Sequence, residues 1–502
     1  MAADAVMLAS SVWLALTLRY LGVLVFEPEA IEKGLTFADY VSRHVWSTVI
    51  LVSVGMGVFY LSGFYTYGRA YRGRYKALVI VQAVTLAYVV FGFLAFVFYG
   101  ISWFPRSALV LGWGFTTSLL IASRVWSKLW KWIAARELGA IHTAGVDDVR
   151  NVLVVGGAGY IGSALLPLLL EKGYRVRVLD LFLFGKDPIR SVVDHPGLEI
   201  IEADFRHLDK IVEAVRGMDA VVHLGGIVGD PACAVDEALT IDVNVVATKM
   251  LAEIAKGSGV RRFIFASSCS VYGASNEILD EHAALLPLSL YAKSKIASER
   301  VLLEIGSPSF VTTILRFSTI YGFSGRTRFD LVVNLLTAKA ITDGKITLVG
   351  GSQWRPFVHV EDAAASVLRV LETPGSAVRN GVFNIGSDEQ NCTIQKLGEK
   401  IAELVPGSKI VLEGTEGDSR NYRVSFAKAR RTLSFVPKWT LELGIKQVIE
   451  AFKSGLVADY RQPQHHNVKQ LTEDGNVVLS RPQNDWAKEM LNAVPGPPPQ
   501  AK

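Results

Sequence analysis

Long apolar runs crowd the first quarter of the chain and are absent from the rest. Residues 7–26, 46–64, 77–99 and roughly 107–123 carry almost no charge, whereas the composition beyond residue 140 is that of a water-soluble domain. Helices of this length match the hydrocarbon thickness of a bilayer. The pattern predicts an all-α membrane region of about four transmembrane helices over residues 1–130, followed by a linker at 131–148. A water-soluble helical bundle is the competing reading; the many Phe, Tyr and Trp near the ends of the runs speak against it. Arg19 interrupts the first run and makes its span the least regular.

From residue 149 the pattern changes. The stretch VRNVLVVGGAGYIGSALLPLLLEKGYRVRVLDL, 149–181, reads as strand, glycine turn, amphipathic helix and second strand. Further strands are predicted at 198–205, 219–226, 261–268 and 311–322, with helices near 207–216, 240–257 and 291–304. Such alternation predicts an α/β fold: a Rossmann-type doubly wound parallel sheet over 149–322. The less regular stretch 323–455 predicts a small C-terminal substrate subdomain interleaved with it, including a helix after Asp362 and another at 394–404. Residues 456–502 are polar and end in VPGPPPQ, which predicts a disordered tail.

Charge placement then orients the apolar region. The connection 27–43 is net acidic, whereas Arg69, Arg72, Arg74 and Lys76 follow the second run, and Arg124, Lys128, Lys131 and Arg136 follow the fourth. Basic connections stay inside, so an even number of spans puts both termini in the cytoplasm, at a multi-pass inner membrane. Asp4, with no basic residue before the first run, fits a cleaved signal poorly. The net charge of +5 owes much to these flanking residues. With no nucleic-acid motif present, it indicates contact with the bilayer and no nucleic-acid partner. Cys233, Cys269 and Cys392 have neither close pairing nor metal-ligand spacing, as expected of a reduced compartment without a metal site. His465 and His466 read as solvated surface.

Two constellations carry chemistry. In GGAGYIG, Gly156 permits a tight turn, Gly159 lets the backbone approach a pyrophosphate, and Gly162 allows close helix packing. Asp180 ends the next strand, where a carboxylate holds both adenosine ribose hydroxyls and repels a 2′-phosphate, favouring NAD over NADP. Asp204, after the third strand, can reach the adenine amino group, with a plain turn aspartate as the alternative. Tyr291 and Lys295 lie four apart, on one face of a predicted helix. Tyrosine ionises near pH ~10, too high for a neutral-pH base, and an adjacent ammonium favours the phenolate. Such a phenolate can take a proton from a sugar hydroxyl, while Ser268 at a strand end orients the same oxygen.

With these motifs in hand, residues 149–455 resemble the extended short-chain dehydrogenase/reductases of the nucleotide-sugar epimerase/dehydratase family. The likeness runs through GGAGYIG, HLGG, DVNVVAT, SSCSVYG, PLSLYAKSK, LRFSTIYG, WRPFVHVED and DSRNYRVSFAKAR. It implies NAD as cofactor, catalysis by Ser268, Tyr291 and Lys295, and cofactor contacts from Tyr160, Ile161, Phe205, Leu224 and Asn244. It further implies that Arg355 and Arg420 hold a substrate diphosphate and that Asn334 lies near the sugar nucleotide. Homodimers are common among such proteins. Pro356 departs from the aspartate that many relatives have after the arginine.

Relatives that dehydrate or decarboxylate carry an acid just before VYG, where this chain has Cys269 and Ser270. That favours epimerisation through a keto sugar, with NAD returned unchanged. A reductase or dehydrogenase, a dehydratase or decarboxylase, and a non-catalytic NAD-binding scaffold are the alternatives. The first 130 residues are similar to the four-span portion preceding bacterial lipid-carrier sugar transferases and membrane-bound dehydratases. Two roles for that region stay open: concentrating an enzyme of soluble nucleotide sugars, or delivering a polyprenyl-linked sugar.

Overall fold

A computed structural model describes residues 2–26, 36–62, 75–99, 104–123, 146–414 and 420–473. The chain divides into two compact units, Met1–Leu138 and Gly139–Lys502.

The first unit contains helices α1 (Ala2–Phe26), α2 (Phe37–Leu61), α3 (Tyr75–Tyr99) and α4 (residues 106–123). Leu8, Leu16, Leu51, Phe59, Val84 and Phe91 fill the space they share. Their outer faces are apolar too, with Val25, Tyr60, Leu61, Phe93 and Phe98 exposed. Helices apolar all round belong in apolar surroundings. Three segments, Ala3–Val23, Phe37–Leu61 and Val79–Phe98, are long and apolar enough to cross a bilayer. Among the described residues the expected four are thereby corrected to three. The fourth run is helical, but Arg106 and the central GWGFTTS dilute its apolar character. Polar contacts instead join it to α3: Tyr88 Oη and Thr116 Oγ1 lie 2.8 Å apart, and Trp113 Nε1 donates to Thr85 Oγ1 at 3.0 Å. With three candidate spans, the even-number argument for both termini on one side no longer applies. Arg69, Arg72 and Arg74, the basic residues from 124 to 136, and tail residues 474–502 lie outside the described residues.

The strands of the second unit are β1 (Asn151–Val155), β2 (Arg175–Asp180), β3 (Leu198–Glu202), β4 (Ala220–His223), β5 (Arg262–Ser268), β6 (Ala274–Leu279), β7 (Val311–Phe317), β8 (Thr319–Tyr321), β9 (Lys345–Val349), β10 (Trp354–His359), β11 (Gly381–Ile385), β12 (Asn391–Thr393), β13 (Lys409–Glu413) and β14 (Asn421–Val424). Seven of them form one parallel sheet in the order β11-β7-β5-β4-β1-β2-β3. The order reverses direction at β1, and ligands of such sheets bind beyond the strand carboxyl ends at that point. The uninterrupted apolar run of β1 follows from burial on both faces. Val152 and Val154 pack with Leu165, Leu169 and Val178 on one side. Leu153 and Val155 pack with Val221, Leu251 and Phe263 on the other.

Several expected elements are divided differently. The run 311–322 breaks at Ser318, whose N–H donates to the Ile385 carbonyl; β7 stays in the main sheet and β8 leaves it to pair with β10. The helix expected at 240–257 contains a wider π-helical turn, Asp242–Ala247, flanked by α-helical Glu237–Ile241 and Thr248–Gly257. Strand β11, from the stretch read as substrate subdomain, is the edge of the main sheet. The small sheets β12-β10-β8 and β13-β9 build the remainder around Tyr321, Leu336, Phe357, Leu397 and Ile445, while β14-β6 packs with Val271 and Tyr272 through Tyr422 and Val424.

The tail expected to be disordered is folded through residue 473. Val457 and Tyr460 are buried, and Phe329 stacks edge-on against Phe452, Tyr460 and His465. His465 and His466 are partly buried, each with a ring nitrogen against a backbone carbonyl: Thr327 at 2.9 Å and Tyr460 at 2.8 Å. They are therefore not the solvated pair expected.

Candidate active site

The loop between β1 and the helix Tyr160–Glu171 is built by glycine for steric reasons. Gly156 has φ +81°, and a Cβ there would lie 2.6 Å from the Gly225 nitrogen. At Gly162 a Cβ would meet the Gly157 carbonyl oxygen at 2.4 Å, so the crowding comes from the loop itself. The close contact with the sheet belongs to Gly157, where a Cβ would press on Val178 at 2.9 Å. Gly159 caps the helix with no side-chain hydrogen bond, leaving the first-turn N–H groups without a capping side chain, as an anion site requires.

A cavity of about 230 Å³ opens beside this loop. Gly156, Gly159, Tyr160, Ile161, Gly162, Asp180, Asp204, Phe205 and Leu224 line it; Asn244, Tyr291 and Lys295 do not. Asp180 accepts from the N–H groups of Ala158 (2.9 Å) and Phe182 (2.8 Å), tying the glycine loop to the end of β2. Burial pushes its carboxyl pKa up, and those backbone bonds pull it back. Asp204 is engaged elsewhere: Arg206 grips it with Nε and a terminal nitrogen (2.7 Å), while its other terminal nitrogen donates to Asp242 at 3.1 Å.

Ser289 caps the helix Leu290–Ile305 by accepting from Ala292 N–H, and this helix carries Tyr291 and Lys295. Lys295 Nζ donates to the Ala266 carbonyl at 2.8 Å and lies 5.8 Å from the Tyr291 ring centroid. Burial pushes its ammonium pKa down to about 8. Burial pushes the Tyr291 phenol upward; a hydrogen bond with Ser268 and the charge of Arg328 act in the opposite direction. Arg328, a cation that the sequence did not single out, thus opposes burial at Tyr291. Arg328 lines the cavity and holds Asp330 through two bonds of 2.9 Å.

Asn244 and Asn334 both hold loops by hydrogen bonds. Asn244, on the π-helical turn, accepts from Ile227 N–H at 2.8 Å and donates to its carbonyl at 2.9 Å, fixing the loop after β4. Asn334 is fully buried; it accepts from Gly322 N–H and donates to Tyr160 Oη, the Gly322 carbonyl and the Arg328 carbonyl. Its side chain is engaged with the 322–328 loop. Arg355 and Arg420 do come together: Arg355 donates to the Arg420 carbonyl, and Arg420 pairs with Asp230 at 3.0 Å. Asp230 in turn accepts from the Ser289 hydroxyl at 2.6 Å.

Ahead of VYG, Cys269 is fully buried with its thiol donating to the Arg316 carbonyl at 3.2 Å, and burial pushes its pKa up to about 12. Ser270 is buried as well. Neither lines the cavity, and nor do Ser268, Tyr291 or Lys295; its carboxylates among the described residues are Asp180 and Asp204.

The uncapped helix start, the steric demand for glycine and the Asp180 carboxylate together fit a dinucleotide. Residues 152–386 match the model of the NAD dependent epimerase/dehydratase family. The uncharacterized UDP-glucose epimerase YtcB of Bacillus subtilis is 28% identical over 61% of this chain and 98% of its own length. A UDP-N-acetyl-alpha-D-glucosaminuronate decarboxylase of Bacillus cytotoxicus is 26% identical over 61% of this chain and 98% of its own. The crystal structure of UDP-glucuronic acid 4-epimerase from Bacillus cereus, in complex with UDP-glucuronic acid and NAD, is 25% identical, with a TM-score of 0.56, over 61% of this chain and 99% of that one. Residues 152–386 are therefore similar to the NAD dependent epimerase/dehydratase family, and an apolar helical region consistent with membrane association precedes them.

Proposed function

We propose that the chain is a membrane-anchored nucleotide-sugar epimerase. NAD is its cofactor and, when bound, supplies reversible two-electron oxidation of a sugar carbon. Tyr291 takes the proton from the hydroxyl on that carbon and later returns it, with Ser268 holding the oxygen. Lys295 holds the nicotinamide ribose, Asp180 the adenosine ribose, and the Tyr160–Glu171 helix start faces the phosphates. Arg355 and Arg420 take the substrate diphosphate, for which two guanidinium groups are suited.

The observation that carries this reading is the environment of Cys269 and Ser270. Eliminating water needs an acid and a base besides the tyrosine. The thiol at 269 is turned into the core, and the hydroxyl at 270 is buried. Tyr291 and Ser268 suffice for oxidation and re-reduction at one carbon. The relatives include both an epimerase and a decarboxylase by name, so these two positions, rather than the likeness, favour epimerisation.

The anchor concentrates the enzyme at the cytoplasmic face, where soluble nucleotide sugars and NAD are found. Full-length protein in nanodiscs, given UDP-sugars and NAD, is expected to yield an isomer of unchanged mass, separable by chromatography. A product lighter by water or carbon dioxide, or one differing by two hydrogens with matching NAD turnover, would overturn the proposal.

A further inference from the structure

The folded part of the C-terminal tail lies beyond residue 386, where the family match ends, yet it reaches the cofactor cavity. A short turn, Pro463–His465, leads into the helix Asn467–Glu473. Asn467 and Leu471 line the cavity beside the glycine loop.

This segment joins the three loops that frame the cavity. Gln470 Nε2 donates to the Leu183 carbonyl, after β2, at 3.0 Å. Asn467 Nδ2 donates to the Val228 carbonyl, after β4, at 2.8 Å. Its backbone N–H donates to Asp330 at 3.2 Å, and Phe329 N–H donates to the His465 carbonyl at 3.0 Å, both in the loop after β8. Val468 and Leu471 pack on the cluster containing Ile227, Val243 and Tyr291.

The same segment places a cation. Arg326 donates to Asn467 Oδ1 at 2.7 Å, and its guanidinium stacks 3.8 Å from the Phe184 ring centroid. Its backbone N–H donates to Ser163 Oγ, in the first turn of the glycine-loop helix. Arg326 is buried and lines the cavity, and its Nε has no hydrogen-bond partner among the described residues. A buried guanidinium with an unpartnered Nε, lining the cavity that the helix start also lines, is equipped for a phosphate.

We propose that residues 463–473 are a strap across the dinucleotide site. The strap holds Arg326 against the pyrophosphate and keeps NAD resident through many turnovers. This rests on reading the cavity as the NAD site of an epimerase. An enzyme that ends each cycle with its cofactor unchanged has no need to release it, and a strap slows release.

The test is NAD release from full-length protein in detergent, measured by chasing bound radiolabelled NAD with excess unlabelled NAD. The double substitution Asn467→Ala/Gln470→Ala is expected to speed release by about tenfold or more, the scale of losing one or two net hydrogen bonds. Arg326→Gln should do the same, while truncation after Glu473 should leave release unchanged. Thermal unfolding at saturating NAD checks that the variants fold. Release within twofold of the parent in both strap variants overturns the strap, as does a parent that itself exchanges NAD within seconds. Because release is read without turnover, the two readings fail separately. A product of altered mass with slow, strap-dependent release rejects the epimerase and keeps the strap.

Discussion

The Cys269 thiol donates to the Arg316 carbonyl, and the Arg316 guanidinium is itself paired with Glu299 at 2.7 Å. The position that carries an acid in eliminating relatives is therefore part of the core here. Cys269→Ala is expected to leave the product unchanged and the turnover number within about threefold, because the thiol touches no reacting atom. The check is product analysis by chromatography beside steady-state rates. A loss comparable to general-base removal, roughly 10²-fold or more, would place Cys269 in the chemistry.

Tyr291→Phe should lower turnover by roughly 10²–10⁴-fold, the range for removing a positioned base. Ser268→Ala should cost less, because the phenol remains. Both should still bind NAD, which fluorescence quenching on titration would show.

Glu299, Arg316, Ser267 and Tyr272 form a buried polar cluster. Ser267 Oγ donates to Glu299 at 2.5 Å, and Arg316 donates to Tyr272 Oη at 2.9 Å. Removing one charge strands the other, at a cost of about 3–5 kcal/mol. Glu299→Ala should therefore lower the unfolding midpoint far more than the paired replacement Glu299→Leu/Arg316→Met. Equal losses would show that the pair is not coupled.

Acid should destabilise the second unit through its buried histidines. Burial lowers the pKa of His223 to about 3 and of His359 to about 4, whereas both sit near ~6.5 unfolded. Below pH ~6.5 the unfolded chain binds protons that the folded chain does not, so stability is full above that pH. It is lost progressively as pH falls toward the folded values. Unfolding midpoints measured from pH 7 to 4 should decline, and His223→Gln should flatten part of the slope. An unchanged slope in His223→Gln would remove that residue from the account.

Asp180→Ala should weaken NAD binding and narrow the preference over NADP. It removes the ribose acceptor together with two bonds that hold the glycine loop. Calorimetric titration with both dinucleotides would show it; an unaltered affinity ratio would assign Asp180 a purely structural role.

Much of this was legible in the chain because it rests on local rules. The run NVLVV announces a strand buried on both faces, and the glycine spacing follows from clashes that any Cβ would cause. Tyr291 and Lys295 share a helix face by periodicity alone. What stayed hidden depends on tertiary placement. Asn334 sits in a family-like position, yet its bonds are consumed by a loop whose path the sequence does not specify. Arg328 acts on Tyr291 from a loop remote in sequence. The tail from 456 is polar enough to read as disorder, and its anchors Val457, Tyr460, Val468 and Leu471 are too sparse to form a periodic signal. In the fourth apolar run, small and hydroxyl residues look membrane-like until their partners on α3 are seen.

The most direct measurement follows isotope through one turnover. Full-length enzyme would be given a UDP-sugar with deuterium on its ring carbons, and substrate and product would be separated and weighed. The expected result is an inverted isomer of identical mass that keeps every deuterium, formed with no net change in NAD. Loss of water, of carbon dioxide or of one deuterium to a cofactor in solution would contradict the epimerase.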